Sequence, residues 1–281
     1  IYDLEAWCNI SFVNSSSNPF YPGTENLYIN GVLATDIIIP NNVTNIKNYA
    51  FRDAMQINIV ILPKNLISMG EYSFGYCSML QYLIFRKTET KVDRKNFVDL
   101  YLLKSLNSSK IKSIGNDNFN NAYVLKTINL PNLTSLDNNF NNAYVLKTIN
   151  LPPNLTKITS SFSNGNIEQI IFPNSLTEIN TSFKRQYNLK ALILPPNITK
   201  ITSSFNDSNS LKSVIIPNKC MNLSASFRTC ASLIKIILTA DNIVTIDSLS
   251  FERISIYAIF YVPDNLVDAY KTDANWARFA N

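Results

Sequence analysis

The stretch Asn118–Pro131, NFNNAYVLKTINLP, recurs letter for letter at Asn139–Pro152, 21 residues further on. Such a duplication is either a local accident or the visible part of a period running through the chain, and the remaining sequence decides between them. Phe119 and Phe140 extend into a series: Phe51, Phe74, Phe97, Phe119, Phe140, Phe162, Phe183, Phe205, Phe227 and Phe251, with gaps of 21 to 24 residues. An aliphatic follows most of them six residues later, as at Ile57, Leu80, Leu103, Leu125, Leu146, Leu189, Leu211 and Leu233. Ile167 fills that slot after a one-residue deletion, and Tyr257 fills it in the last unit. Apolar residues recur three and five positions beyond the slot, as in Ile128 and Leu130 or Val214 and Ile216, and a proline often ends the run. A second short motif, N-L-T-x-I, follows, as at Asn154–Ile158. This is a tandem repeat.

A unit of about 22 residues cannot bury its own apolar side and needs neighbours above and below. The segment L-x-x-I-x-I-P alternates with the period of a strand and is rich in Ile and Val. Proline carries no N–H and stops the ladder where it stands. Stacking then places equivalent side chains in columns, so the Phe series becomes a buried spine, with Phe140 and Phe183 in its middle. The expected fold is a right-handed solenoid with a parallel β-sheet, mostly strand and turn. It has a cap over 1–33, repeats over 34–260 and a helical cap over 261–281, all in one continuous domain. Leu4 and Trp7 should cover the first rung. Val267, Tyr270 and Trp276 should cover the last, with Asp264 as helix N-cap after Pro263.

Composition agrees. Of 281 residues, 46% are hydrophobic, and only 6 Gly and 12 Pro are present, which excludes collagen-like and disordered classes. No apolar run approaches the ~20 residues of a membrane-spanning helix. The net charge of +5 is a slight lean toward anionic partners. The chain begins at Ile1 rather than Met, and the expectation is that any leader has been removed.

The letters also resemble a family. Val43–Phe51 (VTNIKNYAF), Ile59–Pro63 (IVILP) and Met69–Leu80 (MGEYSFGYCSML) are similar to the leucine-rich repeat of the BspA-like type. Leu4–Trp7 and Asn26–Gly31 resemble the helix and strand that open such arrays. Tyr261–Pro263, Val267–Lys271 and Trp276 resemble the segment that closes them. The resemblance implies a bacterial-type surface or secreted module that adheres to host or matrix proteins. There are departures from the pattern. Units from Phe119 to Phe227 differ just before the Phe, several being one residue shorter, and the Pro slot is Arg86, Ser109 and Thr239 in three rungs. Arg86–Lys95 is the most degenerate stretch; the solenoid should bulge there, around a solvated basic loop without the interleaved aromatics that would stack nucleic-acid bases.

Machinery for catalysis is missing from the letters. There is no histidine, which removes Ser-His-Asp and Cys-His nucleophilic sites and the commonest zinc ligand. The Gly residues form no phosphate-cradling loop and the acids show no clustering. The reading is therefore no enzyme, no cofactor and no metal. Cys77 and Cys230 share one repeat slot seven rungs apart and cannot bond; Cys220 takes a core slot and Cys8 lies in the first cap, so four reduced thiols are expected. Ten N-x-S/T sequons occur, at Asn9, Asn14, Asn42, Asn107, Asn132, Asn154, Asn180, Asn197, Asn206 and Asn222. Four of them (Asn42, Asn132, Asn154 and Asn197) are turn letters of the repeat, and we read the set as turns.

Two columns should face solvent. One residue past the Leu slot come Lys104, Lys126, Lys147, Lys190 and Lys212, interrupted by Glu168. Four residues past it come Asn107, Asn129 and Asn150, then Ile171, Ile193, Ile215 and Ile237. Isoleucine on an exposed strand face satisfies strand propensity, yet a contiguous apolar ribbon beside lysines is also what a protein-binding surface looks like. Ile171, Ile193, Ile215, Ile237, Lys126, Lys147, Lys190 and Lys212 are thus the candidate partner-binding residues. The expected partner is a protein bound by a monomer, with no nucleic acid; a carbohydrate-binding or passive scaffold segment of a larger surface protein is the alternative.

Overall fold

The computed structural model describes residues 1–87 and 90–280. The chain divides into two compact units, 1–146 and 147–281, each a stack of short parallel strands.

In the first unit the L-x-x-I-x-I segment forms Asp36–Ile38, Ile59–Ile61 and Tyr82–Ile84, paired in parallel with Ile37, Val60 and Leu83 in register. Ser105–Asn107 and Thr127–Asn129 pair in the same way. The N-L-T-x-I motif builds a second ladder on another side of each coil: Asn45–Ile46 lies beside Ser68–Met69, and Thr90–Val92 beside Ile111–Ile114. The register shift of the latter pair lies between Ile111 and Ser113, in the neighbouring strand and not in the degenerate stretch where the bulge is expected. Nor is that stretch a wholly solvated loop: Thr90–Val92 is strand, because Thr90 and Val92 turn inward and are buried. Thr88 and Glu89 of that stretch lie outside the described residues. The unit opens with an antiparallel hairpin, Tyr28–Ile29 with Val32–Leu33. Its turn residues, Asn30 and Gly31, have φ of 51° and 78°, the two positive angles a tight two-residue turn requires.

In the second unit Ala191–Ile193, Ser213–Ile216, Lys235–Leu238 and Ile259–Tyr261 form one parallel sheet, and Thr148–Asn150 pairs with Gln169–Ile171. The other ladder is Lys157–Thr159, Glu178–Asn180 and Lys200–Thr202. In both ladders the middle residue is inward: Leu192, Val214, Ile236, Ile158, Ile179 and Ile201 are all buried.

The third side of each coil is the Phe turn. All ten Phe of the series are at most 2% exposed. Their rings stack nearly parallel, Phe51 to Phe140 in the first unit at 4.9–5.8 Å and Phe162 to Phe251 in the second at 5.2–5.5 Å. Each buried ring contributes ~1.5–3 kcal/mol by area alone. Phe51, Phe74 and Phe97 keep ordinary backbone angles, whereas Phe119, Phe140, Phe162, Phe183, Phe205, Phe227 and Phe251 all have φ between 55° and 62°. A bulky residue there costs ~1–2 kcal/mol. What offsets the cost is hydrogen bonding to both neighbours. Thr181 and Arg185, also left-handed, donate to Thr202 and Asn206 one rung ahead, while Phe183 donates to Ser161 one rung behind.

A buried polar column stands beside the spine. Residues just before each Phe, among them Ser73, Asn96, Asn118, Asn139, Ser161, Ser182, Ser204, Ser226 and Ser250, are 0% exposed. The Ser182 N–H donates to Ser204 Oγ at 3.1 Å, and the Ser204 hydroxyl donates to the Thr202 carbonyl at 2.8 Å. Buried polar groups persist only when satisfied, and this column satisfies turn amides that the strands cannot reach. The cysteines obey the same logic. All four are unpaired and buried, and the Cys77 and Cys230 thiols donate to the carbonyls of Phe51 and Phe205 at 3.1 and 3.2 Å. Burial pushes the Cys8, Cys220 and Cys230 thiols up to about 12, so they stay protonated and unreactive.

At the opening end Trp7 packs on Phe12 and Phe20 and its indole N–H donates to the Ala50 carbonyl at 2.9 Å; Leu4 is half-buried. At the closing end Trp276 is buried over Phe251 and Phe260, joined by Phe279, with the buried Tyr270 edge-on against Trp276 and Val267 half-buried. Two expectations need correction. Asp264 is not the helix N-cap: it is the first residue of a 3-10 turn, Asp264–Leu266, and the α-helix Val267–Thr272 follows Leu266 with no side-chain cap. Pro263 already takes the capping position, and its carbonyl accepts the Leu266 N–H at 2.9 Å. Tyr257 does not fill an inward slot either, being 77% exposed; the last Phe turn is one residue longer, and Ala258 closes it on the Ser255 carbonyl.

Candidate functional site

The outward residues of the second unit's sheet follow from strand alternation: with Leu192, Val214 and Ile236 inward, their neighbours must face solvent. Ile193, Ile215, Ile237 and Tyr261 are directly registered, and Ile171 is registered with Asn150. Ile171, Ile193 and Ile215 are 55%, 72% and 39% exposed; Ile237 is half-buried. Glu168, Ile171, Lys190, Ala191 and Ile193 line one shallow groove of about 630 Å³.

The lysines are placed less uniformly. Lys190 lines that groove, and Lys212 is linked to it by a backbone hydrogen bond, the Lys212 N–H donating to the Lys190 carbonyl at 2.8 Å. Lys147 is paired with Glu168 at 3.1 Å, with both side chains well exposed. Lys126 is exposed in the other unit, where its N–H meets the Lys104 carbonyl at 3.0 Å.

Sequence reasoning missed residues on both faces. Beyond Ile237, Ile234, Ile259 and Tyr261 continue the apolar surface at 46%, 55% and 48% exposure, with Lys235 Nζ 5.5 Å from the Tyr261 ring. The first unit has a row of its own, Ile38, Ile61 and Ile84 in register, with Tyr82 beside Ile84. The signal was available, since Ile61 and Ile84 stand four residues past Ile57 and Leu80, the same offset that located Ile171 and its successors.

Other clusters read as structure. The Arg52 guanidinium lies 4.5–5.8 Å from the rings of Tyr21, Tyr49, Tyr72 and Tyr76 and 3.1 Å from Asp53. Burial pushes the Asp53 carboxyl up, and Arg52 opposes that. Asn132 and Asn197, two of the turn sequons, donate their amides to the Ser109 and Asn174 carbonyls at 2.7 and 2.9 Å, tying each turn to the rung before it. Among the described residues no group of three or more Cys, Asp or Glu could hold a metal ion. No described helix is long and apolar enough to cross a membrane.

Comparison with known proteins agrees with this architecture. The model of the BspA type leucine-rich repeat region (6 copies) matches residues 25–142, 112–226 and 180–271. Among solved structures, a leucine-rich repeat protein from Bacteroides ovatus is 18% identical with a TM-score of 0.50, covering 85% of each chain. A leucine rich cell surface protein from Faecalibacterium prausnitzii is 18% identical over 74% of this chain and 80% of its own, with a TM-score of 0.39. The pneumococcal vaccine antigen PcpA is 19% identical over 86% and 77%, with a TM-score of 0.44. No curated protein matches the chain. With the family model spanning most of its length, the chain belongs to the BspA-type leucine-rich repeat family.

Proposed function

We propose that the chain is a non-enzymatic, surface-displayed or secreted module that binds a protein partner through the outward face of its strands. The observation that carries this reading is the registered row Ile193, Ile215 and Ile237, with Ile171 lining the same groove as Ile193; Ile171, Ile193 and Ile215 are exposed. Exposed contiguous apolar surface is a property of interaction sites. Lys190 and Lys212 border the row and would meet carboxylates on the partner, steering the encounter more than fixing its strength. Residues 34–260 form the repeat array in this reading, and 1–33 and 261–281 its caps. Membership in the family and the surface location named for the Faecalibacterium protein support display outside the cell and adhesion to host or matrix proteins. The test is solid-phase binding of the purified chain to extracellular-matrix proteins beside a glycan array. Binding to a protein that Ile193→Thr with Ile215→Thr abolishes supports the reading, whereas glycan binding untouched by that change overturns it.

A further inference from the structure

We propose that the open edge of the strand Ile259–Tyr261 is a docking slot for an extended polypeptide carrying an apolar anchor side chain and a neighbouring carboxylate. This does not depend on the Ile row. One side of the strand is taken by Lys235–Leu238, with Lys235, Ile236 and Ile237 opposite Ile259, Phe260 and Tyr261. No described strand pairs with its other side. In a parallel ladder each residue sends its N–H and C=O to the same neighbour. The Ile259 N–H donates back to the Ile234 carbonyl at 2.9 Å, so Ile259 and Tyr261 serve the sheet. Phe260, one residue out of phase, presents both its backbone groups to the open side.

Beside that edge the closing cap leaves a cavity of about 390 Å³, lined by Phe260, Val267, Tyr270, Lys271, Trp276 and Phe279 together with the strand backbone. Phe260 occupies the inward slot that Val214 and Ile236 hold at 1% and 0% exposure, yet it is half-exposed, so the cap does not finish covering the core. The polar tips of the lining aromatics are already used: Tyr270 Oη accepts the Val244 N–H at 3.2 Å, and the Trp276 indole N–H donates to the Val244 carbonyl at 2.7 Å. What they offer the cavity is apolar ring surface. The remaining side-chain charge on the lining is the Lys271 cation, and Lys235 stands over the Tyr261 ring. An occupant must therefore supply a backbone donor and acceptor with strand spacing, an apolar side chain and a negative charge. An added strand does all three, its main chain giving affinity and its anchor giving specificity.

The probe is the blocked heptapeptide acetyl-Thr-Val-Thr-Leu-Thr-Glu-Val-amide. The chain has two tryptophans, Trp7 and Trp276, so the variant Trp7→Phe leaves Trp276 as the sole reporter of the cavity. Titration should give a saturable change in Trp276 emission below millimolar peptide. A peptide with proline beside the leucine, lacking one main-chain donor, should bind at least tenfold more weakly. Ala280→Phe, which fills the cavity from the cap, should weaken binding at least tenfold with an unchanged melting temperature. Lys271→Glu should weaken the glutamate peptide and be rescued by its lysine counterpart. Absence of saturation up to millimolar peptide overturns the proposal. So does equal binding of the proline peptide, which would make the cavity a general apolar pocket. A concentration-dependent dimer that Ala280→Phe abolishes also overturns it, because the edge would then belong to a second copy of this chain.

Discussion

The ring of Phe183 lies on that of Phe205 with centroids 5.4 Å apart and planes 5° apart, and on its other side Phe162 stands 5.2 Å away. Neither neighbour can move into the space that Phe183 would vacate, since each is held by its own left-handed turn. Phe183→Ala should therefore cost ~3–5 kcal/mol, the range for large aromatics removed from a core that cannot collapse. Because stability in stacked repeats is a sum of local and nearest-neighbour terms, differential scanning calorimetry of this variant should show a lowered, broadened or split transition. Unfolding like that of the parent chain would remove the spine from the account.

The buried serines make a sharper case. Ser204 Oγ accepts the Ser182 N–H and donates to the Thr202 carbonyl, in a site with no exposure. Ser204→Ala changes volume little but strands a buried amide, at a cost of ~1–3 kcal/mol. Ser204→Asn should be tolerated better, since Asn118 and Asn139 fill the same column in the first unit and the Asn139 carbonyl oxygen accepts the Asn118 N–H at 2.9 Å. Urea denaturation of the two variants compares them directly.

Asp247 gives the pH dependence. Burial pushes its carboxyl up, but the N–H groups of Ala225, Leu249 and Ser250 and the Ser250 hydroxyl all donate to Oδ1 at 2.9–3.0 Å, and together they hold it below the ordinary carboxylate value. A carboxylate depressed in the folded state stabilises fully above its unfolded value, near 3.9. That contribution is lost as pH falls through the folded-state value. Asp247→Asn removes the charge, so it should lower the melting temperature at pH 7 and flatten the acid limb, the two profiles converging as pH falls below the folded-state value. A parallel downward shift at every pH would contradict this role.

How much of this the letters disclosed depends on what kind of physics each feature obeys. Phe183 and Ile215 were readable because burial and exposure follow period and alternation, which the sequence displays directly. Ser204 and Asn118 were not, because each accepts an amide of the rung before it, the Ser182 and the Phe97 N–H, and the inward turn of a polar side chain beside the Phe follows no apolar period or alternation. Asp264 misled for a related reason: Asp after Pro looks like a cap, but the chain makes a 3-10 turn before the helix. Ile38, Ile61 and Ile84 were legible and overlooked, since the offset that found Ile171 finds them too.

The closing cap should prove indispensable. Trp276 lies 6.0 Å from Phe251 and 5.4 Å from Phe260, and it is 3% exposed. Deleting residues 264–281 would uncover both rings and leave a wide apolar surface beside the already open edge of Ile259–Tyr261, a template for self-association. Size-exclusion chromatography should show aggregates, and a monodisperse truncated chain would argue against this covering role.

The Ile row is tested by the double variant Ile193→Thr with Ile215→Thr. The two residues are registered neighbours, 72% and 39% exposed, and Thr keeps β-branching while removing apolar surface. Their inward neighbours Leu192 and Val214 are untouched, so the melting temperature should change by no more than a few degrees. Affinity for a protein partner should fall by a kcal/mol or more if the row holds anchors, since interface energy concentrates in a few buried apolar contacts. Ile38→Thr with Ile84→Thr is the matched control: it removes the two exposed members of the first unit's row, which flank Ile61. A partner lost only with the second-unit pair assigns adhesion to that face. One lost only with the control moves the site to the first unit, and one lost with neither leaves both rows as strand propensity.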